Sequence, residues 1–293
     1  MALATNDVVE ATPIEVAALD GYPLAGELFT GPGPRRAIVI INSATATLRR
    51  YYRRFAEYLV ADGFDVVTYD YRGIGGSAPA TLKGFRAQMR DWGQLDFPGI
   101  IRWCDERSAG SPMLAVGHSV GGQILGLAPN RDRIKGMLFV CSQHTYWRHW
   151  PRSHWPRLHL LWNVLLPGLS HAMGYFPSPW VGMGEPLPKG VAIEWAAWAR
   201  ARGYIAEVVG PEAGAGYRSY QGRILSLSFE DDHFAPARAA AALLAEFGSA
   251  TSEHRHLVPA HRGLAVGHFG YFRPNMRDTL WPEARYWLEE LAG

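Results

Sequence analysis

Cysteine is scarce in this chain: only Cys104 and Cys141 occur among 293 residues, each inside an apolar run. Two such residues do not make a disulfide framework, so both are expected to be buried free thiols in a reducing, cytoplasmic setting. No stretch approaches 18 consecutive apolar residues, which excludes a helix spanning a membrane. Residues 1–12 carry Asp7 and Glu10 and lack an apolar core behind basic residues, so no secretory signal is read there. No basic run exceeds a few residues and the net charge is +2, which gives no phosphate-tracking surface and no expected nucleic-acid partner. Internal repeats and low-complexity tails are also lacking.

What the chain does have is the composition of a globular protein, 48% hydrophobic and 19% charged. Residues 14–19 and 24–29 flank Asp20-Gly21, a hairpin signal. Apolar runs at 37–41, 64–69, 113–116, 137–141 and 224–229, with a further strand near 254–258, alternate with helical patterns. Those helical patterns fall at 51–61, around 85–103, at 236–247 and from Pro282 onward. Strands apolar throughout and interleaved with helices are the signature of a parallel sheet covered on both faces. The rhythm breaks over 148–221, a stretch rich in Trp, His and Pro. The expected organisation is an α/β core formed by 1–147 and 222–293, with 148–221 inserted as a cap.

The run Ala115-Val116-Gly117-His118-Ser119-Val120-Gly121-Gly122 carries the chemistry. It fits a G-x-S-x-G elbow, in which a buried strand turns sharply into a helix and the serine sits at the bend. The glycines are required because the turn leaves no room for side chains. A serine hydroxyl becomes nucleophilic only when a base takes its proton and a carboxylate holds the base. In sheet hydrolases these partners follow in the order Ser, acid, His, on loops after later strands. Glu230, Asp231 and Asp232 follow the strand ending at Phe229, and His268 lies between Gly267 and Phe269 beyond the last strand. Ser119 and His268 are therefore the candidate nucleophile and base. The oxyanion of a tetrahedral intermediate needs waiting donors. The Val120 N–H should be one, and an amide after the strand ending at Ile41 the other, with Ala44 the first choice and Thr45 the fallback.

Other histidines compete. His261 shares the terminal loop with His268. His254 and His256 alternate on a strand and face one way, without a third ligand, so no metal site is expected. His118 adjoins the nucleophile, although its side chain should point away from that of Ser119. His118, His233, Trp147 and Trp150 are candidate lining residues, and the aromatic cap, with Trp155 and Trp162, suggests a hydrophobic acyl or aryl group. The competing reading is that these tryptophans form the cap's own core. The Gly-rich loop Asp70-Tyr71-Arg72-Gly73-Ile74-Gly75-Gly76-Ser77 fits no P-loop and is expected to be structural, pinned by Asp70 and Arg72.

Taken together, the 117–121 elbow, the 70–77 loop, an acid ahead of Pro236 and Gly267-His268 resemble the α/β-hydrolase superfamily. More narrowly, Ala44-Thr45, Tyr52-Arg53-Arg54-Phe55-Ala56, Gly184-Glu185-Pro186-Leu187-Pro188, Glu194-Trp195 and Gly267-His268-Phe269-Gly270 resemble the hydrolases with a serine aminopeptidase-like domain. The resemblance implies a lidded serine hydrolase without a cofactor, acting on a small-molecule acyl substrate. It also favours Asp232 as the acid, because the family commonly places it four residues before a proline. Ala46 departs from the pattern, standing where the group often has glycine. Carboxylic-ester hydrolysis is the expected activity. An amidase or peptidase, a thioesterase, an acyltransferase and a non-catalytic small-molecule receptor remain the alternatives.

Overall fold

A computed structural model describes residues 9–293; the first eight residues, part of the segment read above for a targeting signal, lie outside it. Ten strands form in chain order: β1 (Glu10–Ala17), β2 (Pro23–Thr30), β3 (Ala37–Asn42), β4 (Phe64–Tyr69), β5 (Met113–His118), β6 (Ile134–Val140), β7 (Tyr175–Phe176), β8 (Leu187–Pro188), β9 (Arg223–Phe229) and β10 (Thr251–Leu257). Eight of them make one sheet in the order β1-β2-β4-β3-β5-β6-β9-β10, and β7 pairs with β8 apart from it. The β1–β2 hairpin and the β2–β4 pair are antiparallel. Every other pair in the large sheet is parallel.

The continuous apolar runs are explained by burial on two faces. Side chains alternate across a strand. Ile38 and Ile40 of β3 accordingly enter one core cluster, whereas Ala37, Val39 and Ile41 enter the other. The first cluster is covered by the helix Phe97–Asp105 and by helices of the 148–221 segment; the second is covered by Arg53–Val60 and by the C-terminal helix Trp281–Ala292. Cys104 and Cys141 fall in different clusters and are both free, buried thiols. No helix among the described residues is long and apolar enough to cross a membrane.

Several elements differ from their sequence reading: β1 starts four residues before its expected start and β6 three residues before. The helical region expected around 85–103 starts at Met89 and passes through a π-helical turn, Trp92–Asp96, before Phe97–Asp105. Pro98 lacks the N–H that an unbroken α-helical ladder would need there, which fits the widened turn. β10 begins three residues before its expected start because it is a half-exposed edge strand, where burial leaves little apolar pattern to read. His254 and His256 do face the same way, and both rings reach the buried Ser228 hydroxyl, at 2.8 and 2.9 Å.

The loop after β4 is held by charge. Asp70 accepts the Arg49 and Gly76 N–H groups at 2.7 and 3.0 Å. The buried Arg72 donates to the buried Asp96 at 2.6 Å through Nε and forks onto Asp20 with two bonds of 2.8 Å. Removing one member of a buried pair strands the other's charge. Arg72→Met should therefore lower the unfolding free energy by about 3–5 kcal/mol in a urea titration. The double variant Arg72→Met/Asp96→Leu should recover at least half of that loss.

Candidate active site

Ser119 sits where β5 ends and a short helix, Val120–Gln123, begins. Its backbone has φ 53° and ψ −115°, a conformation that a non-glycine residue holds only under surrounding constraint. The constraint is visible: the Ser119 N–H donates to Val140 O at 3.0 Å, and the helix lies close against two strand ends. A Cβ on Gly121 would stand 2.3 Å from Asn42 O, and one on Gly117 would stand 2.5 Å from Gly122 N. The glycine requirement read from the motif is thus a matter of backbone meeting backbone.

The loop carrying the candidate acid (the acid loop) follows β9, and the loop carrying the candidate base (the base loop) follows β10. Asp232, with its carboxylate fully buried, accepts His268 Nδ1–H at 2.8 Å through Oδ2. Its Oδ1 accepts the N–H groups of Phe234 and Ala235 at 2.8 and 3.1 Å. Burial pushes this carboxyl up, but the hydrogen bonds from His268, Cys141 and the Phe234 amide, with the His268 charge, hold it below its ordinary value. Asp231 has a different job: its Oδ2 accepts the Val266 N–H at 2.7 Å and ties the two loops together. Gly267, at φ 55°, makes the bend that brings His268 inward. His261 is exposed on its own turn and makes no contact with Asp232. Ser119 Oγ and His268 are not hydrogen bonded to each other among the described residues, and catalytic hydrogen bonds often tighten only around substrate.

In the candidate oxyanion loop, residues 42–46, the first-choice donor is already engaged. The Ala44 N–H donates to Tyr52 Oη at 2.8 Å, so it is engaged within the fold. Among the described residues, the N–H groups of Thr45 and Val120 have no acceptor. Next in the loop, Ala46 holds φ 59°, a left-handed conformation that glycine adopts without strain. Its carbonyl accepts the Glu185 N–H at 2.8 Å, and a Cβ on Gly184 would lie 2.1 Å from that oxygen. The 184–188 motif therefore clasps the oxyanion loop.

The lining candidates divide differently from expectation. His118 is fully buried with both ring nitrogens engaged: Nδ1 meets Tyr52 Oη at 2.8 Å and Nε2 meets His268 O at 2.8 Å. The reason is strand alternation, which turns position 118 away from position 119. Trp150 is buried and donates Nε1–H to His233 O at 3.0 Å, so it ties the start of the 148–221 segment to the loop that carries Asp232. His233 itself is exposed. Trp162 packs edge-on against Trp195 at 4.9 Å within the 148–221 segment, and Trp147, just ahead of that segment, packs edge-on against its Trp155 at 5.3 Å. Among the described residues, one cluster of candidate metal ligands occurs, His118, Cys141 and His268, in which both His118 nitrogens and His268 Nδ1 are engaged as above. The tethers through Tyr51 and Tyr52 were missed by sequence reasoning; an aromatic pair opening a helix carries no signal of its hydroxyl partners.

A strained serine at a strand–helix turn, with an Asp–His pair on later loops of a mostly parallel sheet, defines an α/β-hydrolase arrangement. The chain belongs to the hydrolase family described as serine aminopeptidase, S33, whose profile matches residues 32–178, half of its length. Among curated proteins no sequence match is found. Solved structures do resemble it over nearly their whole length. The esterase domain of a Rhodothermus marinus protein shares 15% identity over 97% of this chain and 100% of its own, with a TM-score of 0.62. A soluble variant of Saccharomyces cerevisiae monoglyceride lipase, in complex with a substrate analogue, shares 14% over 98% and 96%, with a TM-score of 0.65. Est1E from Butyrivibrio proteoclasticus, with ferulic acid bound, shares 15% over 94% and 96%, with a TM-score of 0.59. At such identities the likeness is one of fold.

Two outcomes are expected. Ala46→Gly should raise the unfolding free energy by about 0.5–1 kcal/mol, because relief of the left-handed strain exceeds the added chain entropy. A fall in stability would contradict the strain reading. Because the folded Asp232 carboxyl lies below 3.8, its stabilisation is full above that pH and is lost as pH falls through the folded value. The stability gap between parent and Asp232→Asn should therefore narrow on acidification below pH 3.8, followed by urea midpoints.

Proposed function

We propose that this protein is a serine hydrolase that cleaves carboxylic esters of small or medium hydrophobic substrates through an acyl-enzyme. The observation that carries the reading is the 2.8 Å bond between buried Asp232 and His268 Nδ1, on the loop that reaches the strained Ser119 elbow. Esterase and lipase names among the structural neighbours favour an ester over an amide.

In this reading Ser119 Oγ attacks the acyl carbonyl while His268 Nε2 takes its proton, and Asp232 holds the ring in the required tautomer and stabilises the imidazolium. The N–H groups of Val120 and Thr45 receive the oxyanion, the Ala44 amide being engaged with Tyr52. His268 then returns the proton to the departing alcohol, and water repeats the sequence to free the acid. No cofactor takes part. Residues 148–221 act as the cap over this site, with Trp150 and the 184–188 clasp as its points of attachment.

With a p-nitrophenyl ester series, Ser119→Ala and His268→Ala should each lower kcat by on the order of 10⁴-fold or more with the fold retained by circular dichroism. His261→Ala should stay within about twofold of the parent. Retained turnover in Ser119→Ala, or loss confined to His261→Ala, would overturn the assignment. The same acyl group presented as an anilide and as a thioester measures the preference among leaving groups.

A further inference from the structure

Two fully buried polar side chains that the candidate triad does not use, Tyr52 and His118, form one connected path. The Ala44 N–H donates to Tyr52 Oη at 2.8 Å. Tyr52 Oη meets His118 Nδ1 at 2.8 Å, and His118 Nε2 meets His268 O at 2.8 Å. Beside them, Tyr51 Oη donates to Phe269 O. Tyr52 and His118 are fully buried, and Phe272 packs edge-on against Tyr52 at 4.8 Å and lies 5.1 Å from His118. The path is walled from water.

The partners fix every proton. A backbone carbonyl only accepts, so His118 Nε2 must carry hydrogen. Burial, reinforced by the nearby His268, lowers His118 to about 3, so the ring is neutral and Nδ1 is an acceptor. Tyr52 must then donate to Nδ1, which leaves its oxygen to accept the Ala44 N–H. Donors and acceptors run in one direction from the oxyanion loop to the base loop, with no group left over.

We propose that Tyr52 and His118, with Tyr51 beside them, are positioning residues that lock the oxyanion loop and the His268 backbone to the nucleophile strand. The inference rests on the Ser119–His268–Asp232 reading for its catalytic consequence. Position 118 precedes the nucleophile, so a single side chain references the base to the elbow. The same path assigns the Ala44 amide to Tyr52, while the neighbouring Thr45 amide has no acceptor among the described residues. A side chain that only filled space would be replaced without kinetic penalty by one of equal shape. A positioning role predicts otherwise, since a misplacement of about 1 Å can cost on the order of 100-fold in rate.

The test compares Tyr52→Phe, His118→Phe, His118→Gln and the Tyr52→Phe/His118→Phe double variant in steady-state hydrolysis of one p-nitrophenyl ester. Both single phenylalanine variants should lose about 10- to 100-fold in kcat with KM within about threefold. The double variant should lose little more than the worse single, because the two changes break one path. Glutamine offers an acceptor oxygen and a donor nitrogen, and should recover at least half of the loss on a logarithmic scale. Unchanged kcat in both phenylalanine variants, with only thermal stability reduced, would overturn the proposal. A readout independent of turnover is the imidazole ¹⁵N spectrum of the intact protein, in which His118 should show a protonated Nε2 and a bare Nδ1. The opposite tautomer, or an Nδ1 resonance that does not move in Tyr52→Phe, refutes the path even if the parent hydrolyses no ester. An inactive parent with the expected tautomer refutes the hydrolase reading alone.

Discussion

The reversal of the chain at Ser119 is the constraint around which the rest is arranged. Left to itself, a serine at φ 53° and ψ −115° would relax, and three neighbouring contacts prevent it. Val140 O takes its amide hydrogen, Asn42 O crowds Gly121, and Ser142 Oγ donates to Gly117 O at 3.1 Å. Those partners come from the ends of β3 and β6, the strands on either side of β5. The parallel sheet is therefore more than a scaffold: it supplies the two flanking backbones that hold the bend open. A side chain at either elbow glycine would separate those strands from the helix, and the hydroxyl would lose its position.

Around that bend, charge and hydrogen bonding are placed with little freedom. The Asp232 carboxylate has both oxygens occupied, by His268 on one side and two backbone amides on the other. Asp231, one residue earlier, holds the base loop by the Val266 amide. On the opposite side of the elbow, Ala46 is kept left-handed while its carbonyl is clasped by the Glu185 amide. Strain at Ser119 and Ala46 costs stability, and the buried pairs around them offset it. Such strain is expected where geometry must be fixed before a substrate arrives.

Much of the fold was legible because its physics is local. Strands buried on two faces read as unbroken apolar runs, and β3, β4 and β5 are buried at every position. The elbow was legible because close backbone approach admits only glycine at 117 and 121. The hydrogen-bonded pair of Asp232 and His268 was anticipated by chain order, with the choice of Asp232 among three acids supplied by the family resemblance. What escaped the sequence depends on partners distant in the chain. The engagement of the Ala44 amide is decided by a tyrosine hydroxyl that helix periodicity can place on a buried face but cannot aim. The role of His118 is decided by a carbonyl 150 residues away. β10 escaped for the contrary reason, since an edge strand has too little burial to leave a pattern.

The most direct measurement is to treat the intact protein with a fluorophosphonate and map the modified peptide by mass spectrometry. A serine made nucleophilic by an adjacent base reacts covalently, whereas an ordinary turn serine does not. The account predicts one adduct, at Ser119, abolished in His268→Ala and retained in His261→Ala. Absence of an adduct from the folded parent, or an adduct at another serine with 119 unmodified, would contradict it.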